Sequence, residues 1–272
     1  MFLIIGAQRS GTSALHTCLS RHPLLFGAPV KEIGYFAYNC KYGRGDEWYE
    51  RELEPGNIDA ARMTFETTPE YAYFPWCAER IHVFDPNIRL IMLVRDPVDR
   101  AYSAWQMFLN AFRQRAAWLV EYLSGIDSSI SEPFYRLLEA PEPPDFETAV
   151  AAELSGENNL PIEPSYIRRG LYGQQIERYL GRFGRDAILI LDAAQFATRP
   201  AETLHRACRF LEIPYDSSLC EPVSLVNRGE YSQPVPVEAQ EQLREYYRPH
   251  NEVFFNLIGQ DFSWAKSEAV RP

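Results

Sequence analysis

Long apolar runs, cysteine and positive charge are all in short supply in this sequence, and each shortage narrows what the chain can be. No stretch of the 272 residues approaches the roughly 18–20 apolar residues that cross a bilayer, so no membrane span is expected. The opening Met1-Phe2-Leu3-Ile4-Ile5 carries no cationic start and stops at Gly6, too short for a secretion signal. The five cysteines (Cys18, Cys40, Cys77, Cys208, Cys220) are scattered, odd in number and without a CxxC pair. They read as reduced thiols of a cytoplasmic protein, not as a disulfide frame or a zinc site. The five histidines show no metal-ligand spacing either, and no metal is expected. With 27 basic against 37 acidic side chains, the formal net charge is −10. Nucleic acid and other long polyanions are therefore poor partners, although a local basic pocket is compatible with this balance.

What is present is an ordinary globular composition, 46% hydrophobic and 24% charged, ample for one core. Strand-like and helix-like segments alternate along the chain. Phe2–Ile5 is a short β-rich run, followed by a glycine-bounded loop and a helical pattern over Thr12–Ser20. Met63–Glu66 reads as a strand and Pro75–Phe84 as a helix. Arg89–Val94 (RLIMLV) is a continuous apolar run of the kind a strand covered on both faces shows. A helix from about Pro97 to Leu109 follows, with proline in its first turn. Ile188–Leu191 repeats the pattern before a helix over Pro200–Leu211, and an amphipathic helix near Val237–Ile258 closes the chain. Strands spaced by helices imply crossovers and a parallel sheet. The fold class is α/β: a central parallel sheet flanked by helices in one domain, residues 1–272. Prolines and glycines crowd residues 124–165, which read as an inserted lid around a short helix such as Phe146–Leu154.

The chemistry begins at Gly6-Ala7-Gln8-Arg9-Ser10-Gly11-Thr12-Ser13, between the first strand and the first helix. Glycines let the backbone curl so that successive N–H groups and a helix N-terminus face one anion. Arg9 adds charge, and Ser10, Thr12 and Ser13 add hydroxyl donors. The spacing copies the phosphate loop G-x-x-x-x-G-K-[ST] of nucleotide triphosphatases except that Thr12 stands where lysine is required. Phosphate binding follows from this pattern; triphosphate hydrolysis does not. The plain alternative is an ordinary strand-to-helix turn.

Arg95 stands where RLIMLV ends, and Ser103 follows eight residues later on the next helix. Ligands of open α/β sheets collect outside the carboxyl ends of the strands, so Arg95 and the glycine loop are expected to share one crevice. A guanidinium grips a phosphate monoester through paired charge-assisted hydrogen bonds, and Ser103 supplies another donor. Taken alone, Arg95 reads equally as a partner for Asp96 or Asp99.

Together, GAQRSGTSAL and LIMLVRDPVDRAYSAW resemble the sulfotransferases that use 3′-phosphoadenosine 5′-phosphosulfate (PAPS), in pattern the heparan-sulfate branch. KEIGYF (Lys31–Phe36), FETTPEY (Phe65–Tyr71), RRGLYGQQIERYLGRFG (Arg168–Gly184) with the segment after it, and NRGEYSQP (Asn227–Pro234) are similar to further segments of that branch. The resemblance spans nearly the whole chain and is weakest over about 110–165. It implies that Gln8, Arg9, Ser10, Gly11, Thr12 and Ser13 hold the 5′-phosphosulfate, and that Arg95 and Ser103 hold the 3′-phosphate. Arg228 and Gly229 approach that phosphate from a closing loop, and Tyr172 lies beside the cofactor or else is a core aromatic. Glu32 is the implied general base, with Lys31 or Arg9 stabilising the leaving phosphate oxygen.

The sequence departs from the family at two points. Arg9 stands where relatives often have lysine, and arginine is a poor proton donor. Thr67 stands where the EKTP segment of relatives has a lysine near the reacting groups. One cation fewer fits a small or medium acceptor carrying a hydroxyl or amine. His82 is a weaker candidate for the base, since its surroundings read as a helix. A P-loop kinase or nucleotide triphosphatase, and a non-catalytic module that binds adenosine bisphosphate, are the competing readings.

Overall fold

The computed structural model describes residues 1–54, 62–114, 143–156, 165–220, 234–262 and 264–265. These group into two compact units, one drawn from 1–37, 41–95 and 174–228, the other from 38–40, 96–173 and 229–272.

The first unit is built on a five-stranded, wholly parallel sheet. Its strands are β1 (Phe2–Gly6), β2 (Leu25–Gly27), β3 (Met63–Thr67), β4 (Arg89–Val94) and β5 (Ile188–Asp192), in the order β2-β3-β1-β4-β5. Every residue of β1 is buried, and so are Leu90 to Val94 of β4. That is the signature of strands covered on both faces, which the uninterrupted apolar runs already carried. Phe2 and Ile4, with Ile91 and Leu93, face a core completed by α1 (Thr12–Leu19) and α10 (Pro200–Leu211) through Leu15, Leu19, Leu204 and Leu211. On β1, α4 (Glu70–Tyr73) approaches so closely that a Cβ at Gly6 would lie 2.8 Å from Ala72 Cβ. Further helices of this unit are α3 (Asp46–Leu53), α5 (Cys77–Phe84) and α9 (Ala193–Thr198), the last capped by the Asp192 carboxylate on Ala194 N–H at 2.9 Å. Helix α8 (Tyr172–Phe183) contributes Arg178 and Tyr179, which donate to the backbone carbonyls of Ala72, Tyr73 and Tyr71.

Among its described residues the second unit is helical: α6 (Pro97–Arg113), α7 (Phe146–Ser155) and α11 (Val237–Ile258), with the short α2 (Asn39–Tyr42) divided from it after Cys40. Helix α6 starts as its sequence predicts, with Pro97 in the first turn and the Asp96 carboxylate accepting from Val98 N–H at 2.8 Å. Its Arg100 is fully buried and donates to the Tyr166 carbonyl. Glu153 of α7 accepts from the N–H groups of Ile167 and Arg168, each at 2.9 Å, and Tyr247 of α11 donates to the Ile167 carbonyl.

The expected α/β class and parallel sheet are thus what the structure has, with differences at short elements. Leu25–Gly27, to which the sequence assigns no strand, pairs with Met63–Phe65 as an edge strand. Three residues are too few to carry a period. The helix expected from Pro75 begins at Cys77, and α6 runs four residues past Leu109 to Arg113. Within the predicted lid, 124–142 and 157–164 lie outside the described residues; the described part is α7, whose Phe146, Val150 and Glu153 are buried.

Candidate active site

In a parallel sheet every strand ends at the same edge, so the residues following β1, β3 and β4 are neighbours by topology. After β1 the chain turns through Ala7, whose N–H reaches the Leu93 carbonyl at 2.6 Å, and Ser10 N–H returns to the Ala7 carbonyl at 3.2 Å. Gly11 ends the loop at φ +90°, a left-handed conformation that favours glycine. Helix α1 then begins with no side chain capping its N-terminus, which leaves the first-turn N–H groups aimed at the loop. Ser10 is 2% exposed, and its Oγ has no hydrogen-bond partner among the described residues. A buried hydroxyl without a partner costs about 1–3 kcal/mol, and an anion held by this loop would satisfy it. Thr12 is buried and Ser13 half-buried at the helix start.

Arg95, at the end of β4, joins this loop as predicted. Its guanidinium donates to the Arg9 carbonyl at 3.5 Å. Lys31 and Glu32 sit at the same edge, beyond β3: Glu32 N–H donates to the Thr67 carbonyl at 3.0 Å, and Thr68 N–H to the Ile4 carbonyl at 3.1 Å. Lys31 Nζ pairs with the Glu32 carboxylate, whose side chain is half exposed. Among the described residues three non-glycines have left-handed backbone: Arg9 (φ 63°), Glu32 (φ 64°) and Glu212 (φ 59°). Glu212 merely ends α10. The other two are predicted catalytic residues, each held at a cost of about 1–3 kcal/mol, and such strain concentrates at functional sites.

Sequence reasoning missed His16. It lies one turn into α1, its Nδ1 is 2.9 Å from Thr67 Oγ1, and its ring is tilted on Phe65. Burial, then the charge of Lys31, lowers its pKa to about 4. The imidazole is therefore neutral and occupies the hydroxyl of Thr67. Nothing local announces this contact, which joins residues 51 apart in sequence.

Ser103 lies on α6 and Tyr172 at the start of α8, both within the second unit and both buried. Tyr172 packs on Phe254 and Trp264, the core-aromatic alternative. Arg228 and Gly229 lie outside the described residues. His82 is on α5, edge-on to Phe183. The aromatic residues near 48–76 are mostly core: Tyr49, Tyr71 and Phe74 are at most 1% exposed.

A parallel α/β sheet with a glycine loop at its carboxyl edge, an unsatisfied serine hydroxyl and a converging arginine defines the class: an α/β domain with a P-loop-like turn, without the P-loop lysine. The particular family follows from comparison. The family profile described as "Sulfotransferase domain" matches residues 1–265, and the chain belongs to this family. It is 24% identical to the membrane-associated sulfotransferase kil1 of Dictyostelium discoideum over 97% of this chain and 66% of that protein. It is 28% identical to heparan sulfate glucosamine 3-O-sulfotransferase 6 of Homo sapiens over 96% of this chain and 72% of that protein. The crystal structure of a sulfotransferase from Alicyclobacillus acidocaldarius shares the fold with a TM-score of 0.72 at 23% identity, covering 97% of this chain and 98% of that one. The sulfotransferase domain of the curacin biosynthetic pathway gives 0.53 at 15% identity, covering 96% and 98%. No helix among the described residues is long and apolar enough to cross a membrane.

Proposed function

We propose that residues 1–272 form one sulfotransferase domain, a cytoplasmic enzyme that moves a sulfuryl group from PAPS to a hydroxyl or amine of a small or medium acceptor, glycan-like or a natural product. The observation that carries the reading is the loop at the end of β1, where Ser10 Oγ is buried without a partner and Arg95 reaches the Arg9 carbonyl. These groups fit a phosphate. In this reading Gln8, Ser10, Gly11, Thr12 and Ser13 hold the 5′-phosphosulfate, and Arg95, with Ser103, Arg228 and Gly229, holds the 3′-phosphate. Tyr172 flanks the nucleotide. No metal takes part. When bound, PAPS supplies an activated sulfuryl group whose leaving partner is adenosine 3′,5′-bisphosphate.

The chain's own residues have three tasks. Lys31 or Arg9 places positive charge where the leaving phosphate oxygen gains negative charge, the electrostatic part of the rate. Glu32 accepts the proton of the acceptor hydroxyl or amine, which contributes typically ~10²–10⁴-fold. The glycine loop and Arg95 fix the donor so that attack is in line. The relatives that sulfate heparan glucosamine support a sugar hydroxyl as one acceptor class, and Thr67 in place of a lysine favours an acceptor less anionic than heparan.

Isothermal titration of adenosine 3′,5′-bisphosphate against ATP with magnesium tests the donor site on wild type and Arg95→Ala. The bisphosphate binds more tightly, and the variant loses about 1.5–3 kcal/mol, roughly 10–100-fold, the worth of a charged hydrogen bond. Tighter binding of ATP would return the chain to the kinases. Bisphosphate binding with no transfer to any acceptor, and indifference to Glu32→Gln, would leave a non-catalytic binding module.

A further inference from the structure

We infer that Glu66 is a positioning residue for the base: with Thr68 it clamps the backbone that carries Lys31 and Glu32. The inference rests on the reading of Glu32 given above. The amides of the turn are taken by residues at the end of β3. Glu32 N–H goes to the Thr67 carbonyl at 3.0 Å and Gly34 N–H to Thr68 Oγ1 at 3.2 Å, and the Ile33 amide between them acts on the Glu66 carboxyl, lowering its pKa. Lys41 Nζ takes the Ile33 carbonyl from the other side at 2.6 Å. The turn is thus held at the Glu32 amide, the Ile33 carbonyl and the Gly34 amide.

The clamp is itself rigid. Glu66 is fully buried, and its carboxylate accepts from Tyr49 Oη at 3.2 Å, from Thr68 Oγ1 at 3.0 Å and from Tyr71 Oη. These three hydroxyls hold the carboxyl in one orientation. Tyr49 is fixed in turn by Tyr35, stacked at 4.5 Å. A carboxylate shut away from water is costly unless it is fully hydrogen-bonded, so its presence here calls for a task that an apolar side chain cannot do. That task is to hold a backbone N–H beside a residue in left-handed conformation: Glu32 stays at φ 64° because its neighbours cannot relax. Glu66, Thr68 and Tyr71, three members of the FETTPEY segment, therefore act together on the base without touching substrate.

The test is amide exchange read by mass spectrometry on the full chain, for wild type, Glu66→Ala, Glu66→Gln and Thr68→Val, together with bisphosphate titration. In Glu66→Ala the segment 32–34 exchanges about 10–100-fold faster, the factor that corresponds to one lost buried hydrogen bond. Segment 7–15 keeps its protection, and adenosine 3′,5′-bisphosphate binds within about twofold of wild type, since the phosphate loop is not part of the clamp. Glu66→Gln, the same shape with an acceptor oxygen retained, restores protection. Thr68→Val, which keeps the carboxylate, loosens Gly34 and decides the matter if Glu66→Ala fails to fold. In a PAPS transfer assay the loosened variants lose kcat by about 100-fold at unchanged bisphosphate affinity, as misplacement of a catalytic group by an ångström does. Unchanged exchange at 32–34 in both loosened variants, loosening spread equally over 7–15, or unchanged kcat would overturn the inference. Full transfer by Glu32→Gln would instead refute Glu32 as base and leave the exchange result standing.

Discussion

Replacing Glu66 by glutamine should change how stability depends on pH, by an amount the surroundings of the carboxyl fix. Burial raises the Glu66 pKa, and hydrogen bonds from Tyr71, Thr68, Tyr49 and the Ile33 amide lower it; burial wins, and the value settles at about 7 against an ordinary 4.5. The Tyr49 and Tyr71 hydroxyls are themselves pushed well above their ordinary range by the same burial, so they remain donors throughout. Between pH 4.5 and 7 the native protein therefore holds a proton on Glu66 that the unfolded chain has released. Stability falls as pH rises wherever the native state binds more protons. The interval is about 2.5 pH units, and at about 1.4 kcal/mol per unit the wild type gives up roughly 3 kcal/mol across it.

Glutamine does not titrate, so the variant escapes this loss. Reversible urea unfolding of both proteins at pH 4.5, 6 and 8, in one buffer series of constant ionic strength, isolates the effect as a difference. The variant should gain on wild type by roughly 3 kcal/mol from the lowest pH to the highest, with the change centred between the two pKa values. A difference that stays flat would mean that Glu66 titrates alike in both states and that burial is offset by its hydrogen bonds. A difference of opposite slope would mean that the four donors outweigh burial and hold the carboxylate ionised. Either result refutes the balance of forces argued here.

His16 runs the other way in nearly the same window. Its native pKa of about 4 lies below the ordinary 6.5, so the unfolded chain binds the extra proton and wild type loses stability as pH falls from 6.5 toward 4. After discounting for the ring's partial exposure, His16→Gln should remove about 1–2 kcal/mol of that acid loss, measured in the same unfolding series. Gly11→Ala should cost about 1–2 kcal/mol of stability because φ +90° is strained for any side chain. The same variant should also weaken adenosine 3′,5′-bisphosphate binding by calorimetry; unchanged affinity would separate the turn from the phosphate site.

The parts of this molecule that can be read from sequence are those whose signal is local. RLIMLV announces a two-sided strand because each of its apolar residues is needed somewhere, and the structure buries Leu90 to Val94. The glycine loop is legible because a left-handed Gly11, a preceding strand and a following helix all leave marks within a dozen residues. Asp96 and Pro97 mark the start of α6 for the same reason. The sheet order β2-β3-β1-β4-β5 leaves no such mark. It alone decides that the loop after β1 lies between the ends of β3 and β4, and hence that Arg9 meets Arg95 while Glu32 meets Thr67.

What the order brings together also explains which residues were misjudged. Glu66 reads in sequence as the last residue of a short strand, and only long-range packing encloses it with Tyr49, 17 residues away, and with the Ile33 amide. His16 reads as one more position of an amphipathic helix until β3 sets Thr67 against it. Both are ionisable groups driven toward neutrality by burial on either side of the Lys31–Glu32 turn, one an acid pushed up and the other a base pushed down. Both shifts depend on burial, which no run of residues spells out.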